Sequence, residues 1–136
     1  MKLNNTSQYA INIMLAITKH EGQKLLNAKK ISEEFEIPYK YLTRIMPQLV
    51  DAKLILSTKG REGGYVLAKE AESIYIVEIL NAVKSSLHDN TCILKIKKCN
   101  ASTKCALHDK WLAPKEEMIK MFYETNLTEL ARSPLN

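Results

Sequence analysis

At 136 residues the chain is long enough for one domain with a buried core, and 46% of its residues are hydrophobic; no run of 18 apolar residues occurs, which excludes a membrane-spanning helix. Three cysteines, an odd number, argue against a closed disulfide framework. The polar opening MKLNNTSQYA, with no small-residue cleavage site, argues against a secretory signal, so a cytoplasmic protein with reduced thiols is expected. The net charge of +5 is uneven: residues 1–70 hold 11 Lys and Arg against 7 Asp and Glu, and residues 71–136 hold 9 against 8, which places any polyanionic partner at the N-terminal half.

Residues 6–20 put Tyr9, Ile13, Ala16 and Ile17 on one helical face, with Gly22 as a stop. In NAKKISEEFEIP, Asn27 can cap a short second helix whose stripe is Ala28, Ile31 and Phe35. Pro38 opens a third helix in which Leu42, Ile45 and Leu49 keep the apolar spacing and Tyr39, Lys40, Thr43 and Arg44 face outward. Pro47 removes a backbone donor, so this helix is expected to bend or re-start in its second half. Two strand-like runs, Leu54–Ser57 and Tyr65–Ala68, flank the loop TKGREGG and read as a hairpin. A fourth helix follows, with Ile76, Ile79, Leu80 and Val83 on one side. The cysteine segment is next, and then one long helix over HDKWLAPKEEMIKMFYETNLTEL with Trp111, Met118, Ile119 and Phe122 as its stripe beside Leu112.

The order of elements predicts a mainly α fold with a small β-hairpin wing, a winged helix-turn-helix followed by a long C-terminal helix. The expected division is residues 1–85 as the DNA-binding domain, 86–109 as a cysteine-rich loop, and 110–136 as the long helix and C-terminal segment, to which the resemblance named below adds dimerisation. In such a fold the second helix of the pair enters the major groove and its outward side chains meet base edges. Tyr39, Lys40, Thr43 and Arg44 are the candidate reading residues, Arg44 for bidentate guanine contact and Lys40 for guanine or phosphate. Lys59 and Arg61 are the candidate wing cations. The same helices could bind protein, with KGREGG no more than a solvated turn. Lys29 and Lys30 read as ordinary solvated charges. An enzyme is not expected: GREGG lacks the Lys-Ser/Thr of a phosphate-binding loop, and no catalytic carboxylate pair or Ser/His/Asp set is present.

All three cysteines and one histidine fall in the spacing Cys92-x6-Cys99-x5-Cys105-x2-His108. Zinc sites bring their ligands in closer pairs, and only Cys105 and His108 are that near. A wider loop suits an iron–sulfur cluster, which accepts thiolates and in some cases imidazole. Lys95, Lys97, Lys98 and Lys104 would favour the thiolates. A zinc site and a metal-free thiol switch stand as alternatives. His20 and His88 have no such neighbours and read as surface or helix-end residues.

Taken together, QYAINIMLAI, ISEEFEIPYKYLTRIMPQL, the wing KGREGGYVLAK, IYIVEILNAV, CALHDKW and the closing NLTEL resemble the IscR/NsrR/CymR-type family of winged helix-turn-helix transcriptional regulators, the IscR branch most of all. The resemblance implies a homodimer crossed through the helix near residues 110–124 and a double-stranded DNA operator. It also implies an iron–sulfur cluster on Cys92, Cys99, Cys105 and His108. Where a 4Fe–4S cluster occurs in such relatives, an acidic residue of the first helix completes it, and Gln8 stands at that place here. A 2Fe–2S cluster with His108 is therefore expected, with 4Fe–4S as the other form. Two departures are the first Cys gap, one residue longer than in the IscR branch, and Thr43 at an acidic position of the reading helix, so the operator is expected to differ.

Overall fold

The structure, a computed structural model, describes residues 3–21, 25–85, 87, 94 and 102–134. Helix α1 (Asn5–Lys19) starts where Asn4 accepts the Ser7 backbone N–H on its side chain at 2.8 Å. Its Ala10, Ile13, Met14, Ala16 and Ile17 are buried, while Tyr9 lies half-buried at the edge of the core. Asn27 caps α2 (Ala28–Glu34) as expected, accepting from the Lys30 N–H at 2.9 Å, and Ile31 is its fully buried anchor. Gly22 lies outside the described residues.

Helix α3 (Tyr39–Asp51) follows Pro38 and buries Leu42, Ile45, Met46 and Leu49. The expected re-start at Pro47 does not occur, for α3 continues through it. The missing Pro47 N–H would have served the Thr43 carbonyl, and both residues lie on the exposed side of the helix. Water can therefore replace the lost bond, while the buried stripe holds the helix together.

Three helices end in the same way, and none of the three ends was legible as a glycine signal. After α2, α3 and α4 (Ile76–Ala82) the chain turns left-handed at Glu36 (φ 51°), Lys53 (φ 60°) and Lys84 (φ 56°). The next N–H bonds back to the helix each time: Ile37 to Ser32, Leu54 to Leu49 and Ser85 to Leu80, at 3.1, 3.1 and 2.9 Å. This is the Schellman termination, usually given to glycine because a Cβ is disfavoured there. Burial of Ile37 and Leu54 just beyond the turns offsets that cost.

Strands β1 (Ile55–Thr58) and β2 (Gly64–Leu67) pair antiparallel, with Ile55 opposite Leu67 and Thr58 opposite Gly64. Each lies within one residue of the expected position. Leu26, ahead of α2, adds a third rung: the Tyr65 N–H donates to its carbonyl at 3.0 Å. A short 3-10 turn (Ala71–Ser73) leads into α4, whose Glu78 carboxylate accepts from the Tyr75 N–H at 2.8 Å and from Lys69 at 2.6 Å.

The C-terminal stretch departs from the expected single helix. It divides into α5 (His108–Glu124) and α6 (Leu127–Arg132), because Asn126 caps a new start, accepting from the Glu129 N–H at 2.8 Å. Two backbone bonds, Ile76 N–H to Thr125 and Leu127 N–H to Ile74 at 3.0 and 2.7 Å, tie this break to the start of α4. Leu127 is fully buried and α6 packs on α1. The resulting architecture is mainly helical with a two-stranded wing, as the order of elements predicts. No described helix is long and apolar enough to cross a membrane.

Replacing the left-handed Glu36 tests the turn between α2 and α3. Glu36→Gly should raise the unfolding free energy by about 1 kcal/mol in chemical denaturation, the backbone cost of an L-residue there less the added freedom of the unfolded chain. An unchanged midpoint would show that this turn carries no such strain.

Candidate nucleic-acid interface and cysteine segment

The four outward residues of α3 lie where the periodicity places them: Tyr39, Lys40, Thr43 and Arg44 are all exposed, opposite Leu42, Ile45 and Leu49. Helix α3 packs against α1, α2, α4 and β1, so its outward face is set by contacts with four elements. The Thr43 hydroxyl donates to the Lys40 carbonyl at 2.9 Å, which restricts its rotation at the centre of the face. The Lys40 Nζ stands 5.5 Å from the centroid of the Tyr41 ring, and that ring meets Tyr9 of α1 at 5.0 Å with a 55° tilt. Sequence reading missed this aromatic pair. The signal was the appearance of Tyr9 on the apolar face of α1, which was assigned to core alone.

Lys59 and Arg61 are exposed at the tip of the hairpin, with Glu62 beside them. Gly60 has φ 115°, and its carbonyl accepts the Gly63 N–H at 3.0 Å, closing the tip. A Cβ on Gly63 would fall 2.2 Å from the Thr58 carbonyl oxygen, so close strand approach requires glycine there. The glycines thus bring the two wing cations onto a compact projection beside α3. The acidic Glu62 lowers the local positive potential, a point the count of cations alone misses.

Of the four cysteine-segment residues, Cys105 and His108 are described; Cys92, Cys99 and His88 lie outside the described residues. Cys105 is half-buried in the turn before α5, and His108, also half-buried, is the first residue of that helix. The His108 N–H donates to the Cys105 carbonyl at 3.1 Å, so the two are held in one turn. Lys104 bridges to Asp109 at 3.1 Å across the same turn. A thiol and an imidazole so placed are a donor pair of the type an iron–sulfur cluster or zinc takes, and to that extent the residues fit either. Among the described residues no group of three or more His, Cys, Asp or Glu converges on a point. The Gln8 side-chain amide donates to the Leu3 carbonyl. His20, read as a helix-end residue, is the C-cap of α1, with its Nε2 3.1 Å from Glu34 of α2.

Helix α5 has 17 residues and buries none of them. Leu112, Met121 and Tyr123 are 48%, 52% and 50% exposed, and Trp111, Met118, Ile119 and Phe122 are half-buried. Of these, Phe122 packs on the core. Leu112, Met121 and Tyr123 remain outward, while α4 lies against another part of the helix.

Gly63→Ala should displace the strand it faces. Amide exchange across Gly64–Leu67 is expected to accelerate by the equivalent of about 1–3 kcal/mol, with the α1 amides unaffected. Unchanged exchange in the hairpin would mean that the Thr58 carbonyl moves aside freely.

The sequence profile of the Rrf2 family, described as an iron-dependent transcriptional regulator, matches residues 3–133. The HTH-type transcriptional regulator IscR of Xenorhabdus nematophila is 28% identical over 133 residues, 98% of this chain and 80% of that one. Among solved structures, the oxidised form of Staphylococcus aureus CymR superposes with a TM-score of 0.79 at 26% identity, covering 100% of both chains. An IscR of T. potens superposes at 0.76 with 21% identity, over 99% of this chain and 89% of that one, which speaks for the fold alone. Matching residues, wing and helix order agree with the family's regulators rather than with any enzyme, and the chain belongs to the Rrf2 family of iron-dependent transcriptional regulators.

Proposed function

We propose that this transcriptional regulator binds double-stranded DNA as a homodimer and that its operator affinity is controlled by an iron–sulfur cluster, with 2Fe–2S favoured over 4Fe–4S. The observation that carries the DNA-binding half is the exposed face of α3, Tyr39, Lys40, Thr43 and Arg44, buttressed on its other side and flanked by Lys59 and Arg61 of the wing. Arg44 reads a guanine edge, Lys40 and the wing cations meet phosphates, and Tyr39 and Thr43 pack against the groove. Residues 1–85 form the reading head in this proposal, 86–109 the sensing loop, and 110–136 the dimerisation segment, although its last helix, α6, returns to pack on α1.

Support for the homodimer comes from α5. A 17-residue helix with no fully buried residue among the described ones, and with Leu112, Met121 and Tyr123 exposed, offers apolar side chains for a second copy to cover. Two reading heads related by a twofold axis then meet a pseudo-palindromic operator with half-sites roughly one helical turn, about 34 Å, apart.

For sensing, Cys92, Cys99, Cys105 and His108 are the proposed ligands, and a cluster would supply iron open to loss, oxidation or nitrosylation. Cys105 and His108 sit in the turn that starts α5. Whatever orients their side chains also biases this helix and, through it, the spacing of the two heads. A second reading, a metal-free thiol switch, draws support from the likeness to the oxidised form of CymR at 26% identity. The zinc alternative rests on the Cys105-x2-His108 pair alone.

Purification without oxygen, with iron and acid-labile sulfide counted per chain, tests the cofactor directly. Equal iron and sulfide with broad visible absorption, lost in Cys99→Ala, is the expected result; a colourless protein that resists reconstitution would leave the thiol or zinc reading. Arg44→Ala should weaken operator binding by about 1–3 kcal/mol while random-DNA binding falls far less. Equal losses on both would reassign Arg44 to the phosphate backbone. Met121→Lys, placed on the exposed face of α5, should shift the mass in light scattering at micromolar concentration from dimer to monomer. A monomeric wild type would remove the homodimer from the proposal.

A further inference from the structure

We propose that Tyr41 is a positioning residue for DNA binding: its ring, braced by Tyr9, holds the Lys40 ammonium over the first turn of α3, ready to meet a phosphate. The inference rests on the DNA-binding reading above and adds a residue that does not itself face the groove.

Three observations carry it. Lys40 is exposed on the outward side of α3, and among the described residues no carboxylate forms an ion pair with it. Its ammonium is 5.5 Å from the centroid of the Tyr41 ring, within the range over which a cation is attracted to an aromatic face. Tyr41 is itself half-buried and packed against the core, with the Tyr9 ring of α1 against it at 5.0 Å. A lysine in water samples many rotamers, and a phosphate contact must select one of them. The ring restricts that sampling before DNA arrives, so less freedom is lost on binding. A carboxylate partner would compete with phosphate for the same charge; an aromatic face leaves the ammonium's outer donors open.

The Tyr9–Tyr41 contact also ties the position of this cation to α1. Tyr9 comes from a different helix and is held by its own packing at the edge of the core. The ring under Lys40 is therefore fixed from two elements rather than by α3 alone. A lysine that merely lay near the ring would show the two losses of affinity adding in the double-mutant cycle.

The experiment is a double-mutant cycle on the full chain, with a random-sequence duplex as probe at several salt concentrations. Lys40→Gln should lower affinity and reduce the salt slope by about one. Tyr41→Leu should lower affinity about threefold when Lys40 is present and have no further effect when it is Gln; Tyr41→Phe, which keeps the aromatic face, should match the wild type. In the free protein, ring currents should move the Lys40 side-chain methylene resonances upfield, an effect kept in Tyr41→Phe and lost in Tyr41→Leu. Additive losses in the cycle overturn the proposal and leave DNA binding intact. A wild type that binds no duplex overturns the DNA-binding reading together with the proposal. Should Tyr41→Leu fail to fold, the wild-type spectrum decides: Lys40 resonances at random-coil positions overturn the proposal, and upfield positions sustain it.

Discussion

The apolar stripe of α3 is the constraint on which the rest depends. Leu42, Ile45 and Leu49 are fully buried and Met46 nearly so, and the helix is packed against four elements, α1, α2, α4 and β1. Rotating α3 about its axis would expose these side chains and bury Lys40 and Arg44, at a cost of several kcal/mol for the apolar part alone. The outward face is therefore not a flexible choice. It is the complement of a burial pattern, and the wing is set relative to it because β1 follows α3 after a single tight turn at Lys53.

Around that helix the chain uses local devices in an economical way. Asparagine side chains start α1, α2 and α6, and charged residues in the left-handed region end α2, α3 and α4. Charged residues at those turns keep the connections soluble, and the buried residue after two of them, Ile37 or Leu54, holds the geometry. The same logic reaches the C-terminus, where Asn126 breaks what periodicity alone would continue. The break turns α6 back onto α1.

Helix α5 stands apart from this arrangement. It touches α4 but buries none of its residues, and Cys105 and His108 sit at its start. A helix with no fully buried side chain contributes less to the stability of the chain than its length suggests. Its placement gives one element the turn holding Cys105 and His108 at one end and the exposed Met121 and Tyr123 towards the other.

Much of this was legible in the residues. Periodicity picked out the buried and outward sides of α3, Asn27 announced its cap, and TKGREGG marked the wing, because each of these depends on neighbours within one or two turns. The sequence by itself determined the order of elements, the outward face of α3 and the grouping of thiols and imidazole in one segment. Only the tertiary structure decided that α3 runs through Pro47, that Leu26 adds a rung to the wing, that Tyr9 backs the ring under Lys40, and that α6 folds back on α1. Those outcomes turn on which distant surface covers a given side chain or receives a given backbone group. Local spacing carries no record of that, since the free energy involved comes from contacts between residues far apart in the chain.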